Sequence, residues 1–422
     1  MTSTFYRVST ANMYDSAVRN LQTRQSTLSG LQENMTSGKR VVRASDDPVA
    51  AAQAERALTR ISRIQAEQRA LDTQRNSVAQ AEATLGDAVD LVQQIRGLVV
   101  GAGNGSFKSP EDQKIQANQI QSLRDQLTEV VNRKDTNGQP LLGALGSALK
   151  PFLGPLLSSP DYTFNGLPGQ AGSTGTDIAS ILDGHAAFMF DPVRDGVYQA
   201  DIAPRGAGST LTTSAVTTSN RELLDGASYA LQVDSFTVDP VNGTTVTYTL
   251  TKTDRNGVVT TTPGLSAGPA VNGQPVPIQI QEGGQTVMAF DLKGSPAVGD
   301  TVGLTPSTSL MGTIDSAIRG IGESTNKTDA TQAVEQALAN IDAGLERVLQ
   351  VRSYAGELLN RADRISDDQG QRSVQLEADR SRAEDLDMLK GISDFQNAHT
   401  GYQAALQSYA QVQRLSLFDF MR

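Results

Sequence analysis

Apolar side chains recur at every seventh place through the first hundred residues. Ala57, Ile64, Leu71, Val78, Leu85, Val92 and Val99 form one spine, and Ala81, Ala88 and Ile95 add an inner stripe three residues on. A seven-residue repeat this strict predicts a long helix with a coiled-coil-like seam. A second helix is expected from Ser109, which caps, with Pro110 at the first helical position and Glu111 and Asp112 at the positive helix end. Its apolar face is Ile120, Leu123, Leu127 and Val130, and it should end near the turn signal Asn137-Gly138. Far along the chain the repeat returns. Val334, Ile341, Val348, Ala355 and Ala362 are spaced by seven, as are Leu338, Leu345 and Leu359, with Arg352 interrupting.

The two chain ends carry thinner stripes. Tyr14, Val18, Leu21, Leu28, Leu31 and Met35 mark one face of the first helix. Phe395, Ala398, Tyr402, Ala405, Tyr409 and Val412 mark the last. Isolated helices are marginal in water, so each end needs a partner, and the other end is the first one available. The two stripes cannot fully bury each other.

The middle alternates with period two instead. Val246, Tyr248 and Leu250 share a face opposite threonines, and a turn follows at Asn256-Gly257. Ile278 and Ile280, a Gly283-Gly284 turn and then Val287 predict a second hairpin, and the stretch "YALQVDSFTVDP" another strand. Threonine-rich, weakly charged strands suit a small sandwich or barrel. Proline divides the chain in the same way. Thirteen of the 16 prolines lie between Pro151 and Pro306, and none follows Met311. Because proline breaks helix interiors, the layout reads helix, strand, helix. The fold class is α+β: a long coiled-coil-like helical bundle from both chain ends with a central, mostly β domain. The expected divisions are 1–47, 48–149, 150–310, 311–372 and 373–422.

Composition removes several kinds of chemistry. The chain has 422 residues with no Cys, no Trp and two His, so thiol catalysis, Cys zinc sites and disulfides are absent. A formal charge of −10 disfavours nucleic acid as a partner, and the segment 151–310 supplies most of it, with 14 acidic and 6 basic side chains. No apolar run is long enough to span a membrane, and the first twenty residues lack the pattern of a cleaved signal peptide. His399 reads as a solvated surface histidine. His185 reads as a strand-edge or turn residue, with Asp183 near it as the one hint of metal binding. The glycine-rich stretch "GAGNG" at 101–105 follows a helix where a phosphate loop would follow a strand, so it reads as a helix–helix turn. Asn104, Asn242 and Asn326 open short glycosylation patterns that carry little weight. The pairs Asp367-Asp368 and Glu384-Asp385, with Asp387, read as solvated helix faces. No catalytic residue, metal or cofactor is expected.

One loop remains. In "TSGKRVVRASDDPVA", Ser37 and Gly38 stop a helix, Asp47 and Pro48 start another, and Lys39, Arg40 and Arg43 stand between them ahead of Asp46 and Asp47. "SGKR" followed by "SDDP" resembles the N-terminal signature of the flagellin family. Pro48, where most members carry alanine, and the ending "LQSYAQVQRLSLFDFMR" are similar to the branch of that family found at the hook–filament junction. "RVSTANMYDSAVRNL" and "NRKDTNGQPLL" agree. The resemblance covers about residues 7–145 and 310–422, and Met1 to Tyr6 extend beyond the family's usual start.

The resemblance implies a non-enzymatic, rod-like structural subunit whose chain ends pair as a coiled coil. It implies export through the flagellar type III apparatus, and assembly outside the cell with further copies of itself, with hook-associated protein 1, with flagellin and with the filament cap. An export chaperone would hold the C-terminal helix. The expected assembly surface is Tyr14, Val18, Leu21, Leu28, Leu31, Met35, Phe395, Tyr402, Tyr409, Val412, Leu415, Leu417 and Phe418. The joint loop would comprise Ser37, Gly38, Lys39, Arg40, Arg43, Asp46, Asp47 and Pro48. Rival readings are a filament-forming flagellin, a coiled-coil scaffold and, more distantly, an enzyme in the middle segment.

Overall fold

A computed structural model of the chain describes residues 10–103, 109–146, 148–155, 161–203, 206–324 and 327–420, with side chains at 10–13, 110, 327 and 412–420 left undescribed. Asn104 and Gly105 of the glycine-rich turn, Asn326 and the stretch Met1 to Tyr6 lie outside the described residues. The helices are α1 (Thr10–Ser37), α2 (Pro48–Gly103), α3 (Pro110–Val131), α4 (Gly184–Phe188), α5 (Pro192–Asp195), α6 (Leu310–Gly322), α7 (Lys327–Glu384) and α8 (Met388–Phe420). The strands are β1 (Phe152–Leu153), β2 (Thr163–Phe164), β3 (Tyr198–Ile202), β4 (Thr212–Thr213), β5 (Thr217–Thr218), β6 (Ser228–Asp239), β7 (Gly243–Thr253), β8 (Val259–Ala270), β9 (Val276–Glu282), β10 (Gln285–Lys293) and β11 (Thr301–Pro306). They form two compact units: residues 70–365, and residues 1–69 with 366–422.

In the larger unit, α2 from Ala70, α3, α6 and α7 as far as Ile365 share one core. Leu71, Val78, Leu85, Val92 and Val99 of the heptad spine are buried there, as are Val334, Ile341, Val348, Ala355 and Ala362. Ion pairs along the rim set α2 and α7 antiparallel: Arg96–Asp342 at 2.6 Å, Arg352–Glu82 at 2.7 Å and Arg75–Asp363 at 3.0 Å. Arg352, which interrupts the repeat, lies over Gly86 on its way to Glu82, where an added Cβ would meet the guanidinium at 3.4 Å. The Ser109 side chain caps α3 as its sequence predicts, accepting from the Asp112 amide. The helix stops at Val131, however, six residues short of the Asn137-Gly138 turn. Asn132 ends it: its carboxamide donates to the Phe152 carbonyl at 3.1 Å and accepts from the Phe152 amide at 3.0 Å. A side chain bridging two distant backbones outweighs the turn signal downstream.

Phe152, Tyr162, Ile178, Leu182, Phe188 and Phe190 also bury themselves in this helical core. The segment therefore begins as a cover for the bundle before it becomes β structure. His185 stands on the short helix α4, beside the Phe164 ring at 5.5 Å, and burial pushes its pKa below the ordinary value. Among the described residues no three metal-ligating side chains cluster.

The second core belongs to two antiparallel sheets. One has five strands in the order β3-β11-β6-β7-β8, and the other places β4, β5 and β9 on β10. The expected hairpins are both present, with Leu250 opposite Thr262 across the Asn256-Gly257 turn and Met288 opposite Ile280, and the third predicted stretch is β6, with Leu231 opposite Leu250. Val233, Val246, Ile278, Val287 and Leu304 fill the space between the sheets. A small two-sheet β domain is therefore present from Tyr198 onward.

One buried charge cluster sits where α3 meets α6. Arg124 donates to the Tyr162 hydroxyl and faces Asp315 at 3.2 Å, with Arg124 7% and Asp315 8% exposed. Burial pushes the Asp315 carboxyl up to about 6, against the opposing pull of Arg124 and Arg319, and the nearby charges of Asp125 and Asp161 add to the rise. The folded state therefore binds this proton more tightly than the unfolded chain. Its contribution to stability is full below about pH 4 and is lost as pH rises through about 6. Thermal melts of the wild type and Asp315→Asn across pH 4–8 should show the wild type losing stability relative to the variant as pH rises. Parallel curves would place the proton elsewhere.

A candidate assembly surface on the paired chain ends

The smaller unit contains α1, the first part of α2, the end of α7 and α8, and it holds every residue of the expected joint. Ser37 ends α1, and Gly38 turns the chain with φ +71°, a conformation that a Cβ would strain. The chain then runs beside the end of α7. Lys39 pairs with Asp385 as an antiparallel bridge. The amides of Arg40 and Val41 donate to the Glu384 carbonyl at 2.7 and 3.3 Å, and the Leu386 amide donates back to the Gly38 carbonyl at 2.9 Å.

Side chains reinforce this contact. Lys39 pairs with Glu384, and the Arg40 guanidinium donates to the Ala383 carbonyl at 2.8 Å and to Asp47 at 3.1 Å. Arg43 turns back to Glu33 of α1 at 2.8 Å. Asp46 accepts the Arg43 amide at 2.8 Å and so folds the loop on itself. Asp47 caps α2 by accepting the Ala50 amide at 3.0 Å. That amide, with the Arg40 side chain, holds the Asp47 carboxyl below the ordinary carboxylate range. Beneath the loop a small core closes: Val41, 6% exposed, packs with Ala50, Ala54 and Ala383.

The joint is thus two-sided. The sequence marks one break, between Ser37 and Pro48. The structure adds a second, between α7 and α8, where Asp387 starts the new helix by accepting the Leu389 and Lys390 amides. Glu384, Asp385 and Asp387, expected as a solvated helix face, instead stop one helix and start the next. No Gly or Pro lies there, and Asp387 as a cap is the one local sign. The break follows from backbone pairing with Gly38 to Val41. The expected division at 372/373 falls inside α7.

Beyond the joint α1 packs on α8. Tyr14 and Tyr409 meet through their hydroxyls at 2.9 Å, with ring centroids 5.7 Å apart, and this bond pushes the Tyr409 pKa up. Arg24 crosses Gly401, where an added Cβ would lie 2.7 Å from the guanidinium. Val18, Leu21, Leu28, Leu31, Met35, Phe395, Tyr402 and Tyr409 are only half-buried, and Tyr14 is 46% exposed. The side chains of Val412, Leu415, Leu417 and Phe418 lie outside the described residues. His399 is exposed beside Phe395 and Gln403.

The seam between α2 and α7 in this unit is thin. It relies on Ala50, Ala54, Ala57, Ile61 and Ile64, facing a stretch of α7 that includes Gln369, Leu376 and Ala383. Gln369 is 3% exposed, and neither polar atom of its carboxamide has a hydrogen-bond partner. An unsatisfied buried amide costs roughly 1–3 kcal/mol. Gln369→Leu should therefore raise the unfolding midpoint of this unit, read by urea melts followed by helical circular dichroism. A lower midpoint would mean that the amide finds a partner the geometry does not reveal.

Both ends of the chain match known families. Residues 8–145 match the bacterial flagellin N-terminal helical region, and residues 338–421 match the bacterial flagellin C-terminal helical region. The chain belongs to the flagellin family. Flagellar hook-associated protein 3 of Salmonella typhimurium is 33% identical over 152 residues, which cover 35% of this chain and 46% of the relative. The Escherichia coli protein of the same name is 34% identical over the same shares. The chain thus matches just under half the length of these relatives. The crystal structure of hook-associated protein 3 from Legionella pneumophila has the same fold. Its TM-score is 0.60 at 23% identity, covering 77% of this chain and 97% of that one. A structure of the flagellar junction protein from the same organism gives 0.56 at 23%, covering 74% and 99%. This flagellin-family chain is a homologue of a structural component of the bacterial flagellum, and its joint and terminal helices fall within the matched regions.

Proposed function

We propose that this chain is the structural subunit that joins the flagellar hook to the filament, working outside the cell and without catalysis. The observation that carries the reading is the terminal hairpin α1/α8. Its two helices fall within the matched flagellin N-terminal and C-terminal helical regions, and its apolar stripes stay half-exposed when the two helices have only each other. Docking into a tubular assembly would cover them. At about 25 cal/mol per Å² of apolar surface removed from water, the nine such residues among those described offset a substantial ordering cost. The partners on this reading are further copies of the chain, hook-associated protein 1 on the hook side, and flagellin and the filament cap beyond. A chaperone would cover α8 before export through the type III apparatus. The joint, tied by Lys39 and Arg40 to the end of α7, fixes the direction in which the terminal hairpin leaves α2 and α7.

Deleting the gene tests the reading. Cells should make hooks that carry no filaments and should shed flagellin monomer into the medium. Hooks bearing normal filaments would sink the proposal.

A further inference from the structure

Six Asn-Gly pairs lie along the chain, and five fall within the described residues: Asn137-Gly138, Asn165-Gly166, Asn242-Gly243, Asn256-Gly257 and Asn272-Gly273. A glycine after asparagine leaves its backbone nitrogen open to the asparagine carboxamide, because no Cβ crowds the approach. Asparagine is also among the residues that degrade chemically. The fold treats the five pairs differently. The Gly138 amide donates to the Asp135 carbonyl at 3.0 Å, and the Gly257 amide to the Asp254 carbonyl at 3.0 Å. The Asn242 carboxamide donates to the Asp239 side chain at 2.8 Å. That of Asn272 donates to the Asp239 carbonyl at 3.0 Å and accepts from the Thr244 hydroxyl at 3.1 Å. In each of these four, one of the two reacting groups is tied. Asn165 is exposed, and neither its carboxamide nor the Gly166 amide has a hydrogen-bond partner among the described residues.

We propose that Asn165 is a site of spontaneous modification, where the chain converts to aspartate and isoaspartate with water as the co-reactant. The Gly166 nitrogen gives its proton to hydroxide and bonds to the Asn165 Cγ. The carboxamide nitrogen takes a proton from water and leaves as ammonia. The five-membered imide then takes up water. Opening at Cγ gives aspartate. Opening at the backbone carbonyl gives isoaspartate, and the main chain then runs through Cβ and Cγ, one carbon longer. That carbon enters a short anchored stretch. The Asn165 amide donates to the Pro151 carbonyl at 2.7 Å, and the Leu167 carbonyl accepts the Leu145 amide at 3.0 Å. Between these anchors Gly166 lies so close to the Phe164 ring that an added Cβ would stand 2.5 Å from it. An extra bond of about 1.5 Å does not fit there without releasing an anchor. Phe164 packs on Phe152 with ring centroids 5.2 Å apart, so the release loosens part of the cover over the helical core.

The test follows the purified full chain at mildly alkaline pH by peptide mass mapping, with isoaspartate scored by enzymatic methylation. In denaturant all five pairs should convert at similar rates, because each has the same glycine neighbour. In the folded chain Asn165 should convert about fivefold faster than each of the other four, the rate equivalent of one net hydrogen bond. Folded-state conversion at Asn165 no faster than at the others would overturn the proposal. A second measurement reads the consequence. In the fraction carrying isoaspartate, the Leu145 and Asn165 amides should lose hydrogen-exchange protection by about tenfold while those of β6 and β7 keep theirs. Asn165→Gln, aged in parallel, should lose none, because its longer side chain closes the imide ring far more slowly. Full protection in the isoaspartate fraction would contradict the release of an anchor.

Discussion

Replacing Val41 with aspartate is expected to open the joint while the β sheets stay folded. Val41 seals a core of only four buried side chains, three of them alanines, so no other group compensates for its loss. A carboxylate placed there would lie among alanine side chains. Burying it, or opening the loop to hydrate it, costs about 3 kcal/mol. That is roughly a hundredfold in the local opening equilibrium. The amides of Arg40 and Leu386, which tie the two breaks together, should lose hydrogen-exchange protection by about that factor, while those of β6 and β7 keep theirs. On flagella the variant should be retained far less than the wild type, because the terminal hairpin no longer leaves in a fixed direction. Unchanged protection at Arg40 and Leu386 would mean that the backbone bridge holds without its small core. Arg40→Ala with Arg43→Ala is the milder version. It removes the Ala383 and Asp47 contacts and the Glu33 pair, so it should weaken retention without opening the core.

Arg124→Ala carries the second large effect, in the other unit. Truncation removes the counter-charge of Asp315 and the donor to the Tyr162 hydroxyl at once. Breaking a buried pair from one side costs about 3–5 kcal/mol when the remaining group stays charged. Asp315 already titrates near 6 with Arg124 present, so without it the carboxyl should hold its proton to still higher pH. The loss of stability should therefore be largest near pH 8 and distinctly smaller near pH 5, where Asp315 is neutral in either protein. Denaturant melts at the two pH values check this. An equal loss at both would assign the effect to packing around the arginine stem. Replacing the pair together, Arg124→Met with Asp315→Leu, should recover most of the stability.

How much of this was legible beforehand depends on whether the signal is local. The heptad spines of α2 and α7 are written in single residue choices: Ala57 to Val99 and Val334 to Ala362 are buried at every seventh place, and Leu338, Leu345 and Leu359 are half-buried against the same core. The Ser109 cap, the Asn256-Gly257 and Gly283-Gly284 turns and the Ser37-to-Pro48 loop are local as well, and all stand where the sequence places them. The failures share another cause. The α7/α8 break at Glu384 to Asp387 carries no Gly or Pro and arises from pairing with residues more than three hundred positions away. The early end of α3 is set by Asn132 reaching Phe152. The burial of Phe152 to Phe190 on the helical bundle and the Arg124–Asp315 pair are likewise long-range. An arginine on an apolar helix face gives no sign in sequence of the acid it will meet. For the proposed assembly surface, periodicity located the apolar stripes on α1 and α8, and their half-exposure became visible only once the two helices were set side by side.

The central claim is that this chain occupies the boundary between hook and filament. Gold-labelled antibody raised against the β sheets, imaged by electron microscopy on intact flagella, tests it most directly. The account predicts label confined to a narrow band where the hook ends and the filament begins. Label along the whole filament would make the chain a filament subunit, and its absence from flagella would remove it from the structure altogether.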